Sequence, residues 1–488
     1  MHFEKEISSL KTAVLINAIS KYFKVLINLF FTAILARILT PEDYGVVAVV
    51  TVFTTFFSIF SDMGLSAAVI QNKDLGKDDV NSIYSFSVYM GIILCILFAA
   101  FSYPLSIFYK DTVYVSLVCI LSISLLFNTM NMIPSALLMK NKLFLVSALR
   151  TIVQAAAGGI VSTIMALMGY KYYAIVISSV FQAVLAYLWN MRHSGLRFCR
   201  KVNISSIKKV LGFSIFQFAF SIVNYFSRNL DNLLVGRLIG KVMLGYYDKA
   251  YQLMQYPISN LTHVITPVLH PILSEYQKDK EYIYFQYTKV VRFLAAVGMF
   301  VSVCCYLSSE ELVYIFFGKN WESSVPCFTW MSISICAQMI SSSTGSIFQS
   351  LNETKKMFYI GSFNAVLNVI AIIFGVSTGN VIKLSMCVGI CYIIHFFTTY
   401  YVLIRFVFEL SFLKFLIGLW REALLGILLM TAAFFYSFSI QNIILGFVIK
   451  AVYLGSVYII GLFLTGEYRL LLYAVGTLSK QRDTRPEP

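Results

Sequence analysis

Long apolar runs alternate with short polar breaks along the whole chain. Runs of membrane-spanning length fall near residues 12–36, 44–70, 81–103, 113–139, 144–168, 172–191, 209–235, 244–272, 286–308, 325–350, 357–377, 381–404, 413–438 and 442–464. A bilayer core takes about 17–25 apolar residues per helix, so the pattern predicts about fourteen transmembrane helices. The expected fold class is an all-α polytopic membrane protein. The first run is unusual, because its mainly apolar part, 25–39, is too short to span. The helix must therefore start near Thr12 and carry Lys21 and Lys24 inward, Lys21 lying roughly 14 Å along the span.

The polar connection at 191–209, "MRHSGLRFCRKVNISSIKK", follows the sixth helix and divides the chain into two similar blocks. At an offset of about 200, "ARILTPEDYG" (36–45) lies over "GRLIGKVMLG" (236–245), which superposes Arg37 on Arg237 and Gly45 on Gly245. "KLFLVSALRTIVQ" from Lys142 and "KMFYIGSFNAVLN" from Lys356 repeat a basic-loop-to-helix pattern at a slightly different offset. This predicts two six-helix bundles related by an internal repeat, 1–195 and 196–407, with two additional helices and a cytoplasmic tail in 408–488. Parallel six-helix repeats suit transporters whose halves rock about a central site.

The repeat gives the buried lysines a context. On the first helix Asn17, Lys21, Lys24 and Asn28 form a stripe; on the seventh, Gln217, Ser221, Asn224, Arg228 and Asp231 occupy the matching one. At about 100° per residue, each set falls within a sector of roughly 80°. A cation in hydrocarbon costs several kcal/mol, so both faces must meet protein or water, and a hydrated cationic cavity between the halves is the simplest arrangement. For Asn17, Gln217 and Ser221, interhelical hydrogen bonding is an equally good account. Asp231, three residues after Arg228, can pair with it or serve as a site for a coupling ion. Arg150, Lys289 and Arg292 lie near helix ends where snorkelling accounts for them. Lys450 has no evident partner.

Composition agrees with a membrane protein: hydrophobic residues make up 59% of 488 residues, charged residues 12%, and the mean hydropathy is +0.78. The net charge of +15 raises nucleic acid as a partner, but its distribution excludes that. With the N-terminus inside, roughly 23 Lys and Arg fall in cytoplasmic segments against roughly 7 outside (Arg37, Lys110, Lys171, Arg237, Lys241, Lys319 and Lys383), which is the positive-inside pattern with both termini cytoplasmic. The mixed-charge lead "MHFEKEISSLK" carries no cleavage signature, so the first helix is expected to be retained. The nine cysteines lack metal-ligand spacing, and the five histidines, including His263 and His270 around a proline-broken stretch, show none either. "GRLIGKV" is no phosphate loop: its glycines are one residue too close, and Val242 stands where a hydroxyl would hold magnesium. No cofactor and no enzymatic activity are expected. A membrane enzyme of polysaccharide assembly, the rival class, would need acids such as Glu310 and Glu311 in its short outer loops.

Three stretches resemble a known family: "LARILTPEDYGVVAVVTVFTTFFSIFSDMGLSAAVIQNKDL" (35–75), "LGYYDKAYQLMQYPISNLTHVITPVLHPILSEYQKDKE" (244–281) and "IFFGKNWESSVP" (315–326). They are similar to bacterial polysaccharide flippases of the Wzx type, nearest the colanic-acid and teichuronic-acid exporters. His270 before Pro271 and the tail from Ser479 depart from that pattern. The resemblance implies the fold of the multidrug/oligosaccharidyl-lipid/polysaccharide exporter superfamily and a location in the bacterial plasma membrane. It also implies a polyprenyl-diphosphate-linked oligosaccharide as substrate, flipped by alternating access for later polymerisation or ligation. Expected partners are that substrate, membrane lipid, H+ or Na+ and polysaccharide polymerase machinery. Lys21, Lys24 and Arg228 would meet the diphosphate, with Asn17, Asn28, Gln217 and Asn224 near the sugar and Asp231 as the coupling candidate. An ion-coupled small-molecule exporter of the same superfamily would instead show carboxylates outnumbering cations.

Overall fold

The computed structural model describes residues 2–62, 65–72, 75–200, 202–211, 215–262, 273–274, 276–277, 279–438 and 440–468, and every regular element among them is helical. The chain divides into two compact units, Met1–Gly245 with Phe316–Asn320, and Tyr246–Ile315 with Trp321–Pro488.

The first unit contains α1 (His2–Ile38), α2 (Pro41–Asp62), α3 (Leu65–Gln71), α4 (Lys77–Tyr109), α5 (Val113–Lys140), α6 (Phe144–Leu167), α7 (Tyr172–Ser194), α8 (Ile204–Leu211), α9 (Ile215–Leu238) and the start of α10 (Lys241–Thr262). Helix starts follow local chemistry. At the head of α2 the Thr40 amide donates to Asp43 Oδ2 at 2.9 Å and the Asp43 amide donates to Thr40 Oγ1 at 3.3 Å, with Pro41 between them. This reciprocal cap satisfies amides the helix cannot. α5 packs on α4 and α7, α1 on α6, and α9 on α2. Leu65, Val69, Ile83, Tyr84 and Ile133 form a buried core where α3, α4 and α5 meet.

The second unit continues with α11 (Lys280–Leu307), α12 (Ser309–Phe316), α13 (Ser324–Ser332), α14 (Ile335–Ser341), α15 (Thr344–Ser350), α16 (Thr354–Ser377), α17 (Val381–Val402), a π-helical turn (Leu403–Val407), α18 (Phe412–Gly418), α19 (Trp420–Phe435) and α20 (Ile443–Thr465). α16 packs on α17, and α11 is the hub, touching α13, α14, α19 and α20. A cluster of Ala296, Val303, Leu425, Leu429 and Leu454 fastens the last two long helices to α11.

Burial is inverted relative to a water-soluble protein. Phe434, Phe435, Leu464 and Leu167 are 85%, 77%, 74% and 70% exposed, whereas Ser85, Ser122, Ser124, Ser162 and Ser178 are buried. Large apolar side chains face outward, and small or hydroxylated ones let helices approach, as expected where lipid is the solvent.

Ten helices among the described residues are long and apolar enough to span, and α18 with α19, bent by 51°, makes an eleventh if taken together. Three further stretches of the expected fourteen are long enough but differ in character. α9 and α10 are too polar to count on hydropathy, carrying Arg228, Asp231, Arg237, Lys241, Asp248 and Lys249. The run at 325–350, expected as one helix, is three short ones, α13 to α15. Its breaks are serine-rich: the hydroxyls of Ser334, Ser342 and Ser343 bond back to the carbonyls of Met331, Met339 and Ile340 at 2.7–2.9 Å, competing with the helix for those acceptors. His263 and His270 lie outside the described residues.

Candidate functional site

Packing sets the rotation of α1. A methyl on Gly159 of α6 would lie 2.0 Å from the Phe31 ring, so only glycine admits that ring. With α1 held this way, Ile19, Phe23, Leu26 and Phe30 are 58%, 51%, 63% and 62% exposed on one face. Lys21, Lys24 and Asn28 are exposed too, on a face roughly 160° away by helix geometry. One face suits lipid; the other suits only water. Among the described residues the two lysines make no ion pair or hydrogen bond, and no carboxylate accompanies them.

On α9, the Tyr225 hydroxyl donates to the Val52 carbonyl at 2.5 Å, and the Phe226 ring lies 4.9 Å from that of Phe56. These contacts with α2 orient the helix so that Arg228 is exposed while Asp231 is 4% exposed and accepts from the Asn232 amide at 2.8 Å. Arg228 and Asp231 are therefore not paired as their spacing allows: the first points out and the second in. The side chains of Asn17, Gln217, Ser221 and Asn224 lie outside the described residues.

One end of the first unit is closed by three helix corners. Lys241, at the start of α10, pairs with Asp111 between α4 and α5, and its ammonium lies 5.9 Å from the Tyr114 ring centre. Arg237 sits over Phe108 at 5.4 Å, and the Tyr109 hydroxyl donates to the Leu233 carbonyl at 3.1 Å. Burial pushes the Asp111 carboxyl up, but the hydrogen bonds from Lys241 and the Val113 amide outweigh it and leave the group below the usual carboxylate range. The repeat-related glycines meet here. A Cβ on Gly45 would stand 1.8 Å from the Lys241 carbonyl oxygen, and one on Gly245 would stand 2.0 Å from that of Pro41. The first turns of α2 and α10 touch backbone to backbone.

The second unit holds a polar ladder on α10. Lys249, 3% exposed, donates to Gln252 Oε1 at 3.0 Å, and Gln252 Nε2 donates to Asp248 Oδ2 at 2.7 Å. Tyr251 and Tyr392 share a hydroxyl hydrogen bond of 2.8 Å, and Gln255 reaches Gln338 at 3.4 Å. The spacing 248, 249, 252, 255 is a helical stripe already present in the sequence, and sequence reasoning missed it beside the stripes on the first and seventh helices. Two cations also find partners that the sequence did not suggest. Lys450 pairs with Glu311 at 2.6 Å and donates to the Leu307 carbonyl at 3.0 Å. Arg292 does not snorkel but is gripped by Glu422 and Glu467.

The polar stripes thus sit on long helices, and residues 34–326 match the family described as polysaccharide biosynthesis protein. The chain belongs to that family. Among curated members of similar sequence, the lipopolysaccharide biosynthesis protein WzxC of Escherichia coli is 23% identical over 432 residues, covering 86% of this chain and 84% of its own. The teichuronic acid biosynthesis protein TuaB of Bacillus subtilis is 24% identical over 388 residues, covering 78% and 79%. The fold is that of the lipid II flippase MurJ in an inward closed conformation, with a TM-score of 0.73 at 15% identity over 94% of this chain and 100% of that one. An inward-facing multidrug transporter of the MATE family matches at a TM-score of 0.58 and 13% identity, over 82% and 94%. The likeness to Wzx-type proteins drawn from the three sequence stretches therefore holds, and this member of the polysaccharide biosynthesis family is a multi-pass bacterial membrane protein.

Proposed function

We propose that this protein flips a polyprenyl-diphosphate-linked oligosaccharide from the cytoplasmic to the outer leaflet by alternating access, with both termini cytoplasmic and no bond made or broken. The observation that carries this reading is the exposed, uncompensated cationic face of Lys21 and Lys24 on α1, with exposed Arg228 on the repeat-related helix α9. A diphosphate is a concentrated anion, and Lys and Arg neutralise it best where little water competes. The family and the flippase fold support the same reading. In it the chain works as two six-helix bundles, 1–195 and 196–407, with 408–488 added. Asn17, Asn28, Gln217 and Asn224 face sugar hydroxyls, Asp231 answers to H+ or Na+, and polymerase machinery receives the product.

The test is transport of a fluorescent polyprenyl-diphosphate sugar in proteoliposomes. Each charge-assisted contact contributes about 1.5–3 kcal/mol, so Lys21→Gln, Lys24→Gln and Arg228→Gln should each cost roughly 10- to 150-fold in apparent affinity or rate. Lys→Arg should retain more activity than Lys→Gln, and Lys201→Ala should be silent. Full transport by the triple Gln variant removes the site.

A further inference from the structure

The guanidinium of Arg292 on α11 is shared in an unusual way. Its Nε donates to Glu422 Oε1 at 2.7 Å, and its Nη2 donates to Glu467 Oε1. These two nitrogens form the edge of an arginine that ordinarily takes both oxygens of one carboxylate. Here the edge holds one oxygen from each of two carboxylates, which brings two acids to adjacent donors on one cation. Glu422 lies in the first turn of α19. Glu467 follows α20, where Gly466 at φ 75° reverses the chain.

Both acids are 1% exposed, and each keeps one oxygen, Oε2, buried without a hydrogen-bond partner among the described residues. Two ionised carboxylates with two orphaned oxygens in a dry site are costly on both counts, like-charge proximity and lost hydration. Glu422 also borders an apolar cavity of about 790 Å³ lined by Met299, Phe396, Gly426 and Phe434, so relief from water on that side is slight. The second cation, Arg421, is 43% exposed and stands 3.6 Å from Glu467, beyond hydrogen-bond length. Of the titratable side chains on the packed elements, Lys289 lies over the Phe285 ring and donates to Gln286, Cys336 lies against the Ala295 carbonyl, Tyr458 against Phe300, Tyr453 on the Ala432 carbonyl, Tyr468 against Phe463, and Lys450 on Glu311. Lys414 on α18 is exposed.

We propose that Glu422 and Glu467 form a proton-binding site on Arg292, carrying one proton shared between the two carboxylates. Uptake of H+ makes one O–H···O⁻ bond across the pair, and the cluster of Arg292, Arg421, Glu422 and Glu467 goes from net zero to +1. The proton belongs to the pair rather than to either residue. Proton rather than metal ion follows from the donor set, since two free oxygens fall short of the six or so that a hard cation takes. Arg421 marks the water-facing side from which the proton arrives. The site lies where the added C-terminal helices join α11, shares no residue with the cationic stripes, and does not depend on the flippase reading.

The experiment is infrared difference spectroscopy of the full-length protein in lipid nanodiscs, titrated from about pH 5 to about pH 9, where buried glutamates lose their protons. Wild type minus Glu422→Gln and wild type minus Glu467→Gln should give the same single protonated-carboxyl band, lost whole rather than by half in either variant, while Asp231→Asn leaves it in place. A band that survives both Gln substitutions, or its absence from the wild type throughout the titration, overturns the proposal. So does a band abolished by adding sodium at constant pH, which would mark a metal-ion site. Should a Gln variant fail to accumulate, Arg292→Lys decides. One ammonium cannot offer two coplanar donors, so the band must shift or vanish, and an unchanged band refutes the shared site.

Discussion

Gly45→Ala tests whether the backbone contact between α2 and α10 is a gate. The added methyl would begin 1.8 Å from the Lys241 carbonyl oxygen, a backbone atom that no rotamer change can move aside. The two first turns would have to part by about 1.2 Å merely to reach the 3.0 Å below which such contacts are essentially never seen. Overpacking of this kind costs about 1–3 kcal/mol, and all of it falls on the closed arrangement. The equilibrium between closed and open ends should shift by roughly 5- to 150-fold towards open. The assay is reaction of a cysteine placed at Ser227, 7% exposed on α9, with an impermeant thiol reagent added outside, against the background of the native cysteines. Labelling should be slow in the protein that keeps Gly45 and faster by about that factor in the Gly45→Ala variant. Gly245→Ala should match it from the other side, and Gly361→Ala, which meets nothing within 4 Å, should change nothing. Equal labelling rates in all four proteins, with unchanged thermal stability, would refute the gate.

Two further outcomes are expected. Because Asp111 titrates below its ordinary value when paired with Lys241, its contribution to stability is full at neutral pH and above its unfolded value of about 3.9, and is lost as pH falls through the lower folded value. Thermal melts of Asp111→Asn should therefore lie below wild type at neutral pH and converge with it in acid; a gap that stays constant down to acid pH counts against the ion pair. Single cysteines near Lys201 and Lys355 should resist an impermeant reagent added outside while one near Lys319 reacts, and the reverse pattern would invert the assigned topology.

Hydropathy alone located most of the helices because a spanning helix must carry about twenty apolar residues, a demand that leaves little ambiguity. The same measure is weakest where function is expected: α9 and α10 carry charges that lower their score, and the α13–α15 run is cut by serines whose hydroxyls take helix carbonyls. The stripe of Lys21, Lys24 and Asn28 was legible because helical periodicity is a local property, and the structure leaves it exposed as a face opposite Phe23 and Leu26. Partnerships across sequence were not legible. Nothing local marks Glu422 and Glu467 as the acids of Arg292, whose place near a helix end fits snorkelling equally well. Glu311 is likewise 139 residues away from Lys450 along the chain, too far for any periodicity to join them. The failure of Arg228 to pair with Asp231 has the same origin, since spacing permits the pair but the seating of Tyr225 and Phe226 on α2 decides which way each side chain points.

The double grip on Arg292 also bears on how the chain is built. Glu422 and Glu467 lie 130 and 175 residues after Arg292. At about 5–20 residues per second, Arg292 leaves the ribosome roughly 7 to 26 s before its first counter-ion exists. Through that interval α11 carries a cation without a carboxylate, at a cost of up to about 2.5–3.5 kcal/mol, the insertion-scale value for a helix centre. Until α19 arrives, that cation has only interfacial water and headgroups to meet it, which its place near a helix end lets it reach by snorkelling. A chain halted before Trp420 would leave that charge at the interface, so the last two long helices are what draw it in among carboxylates.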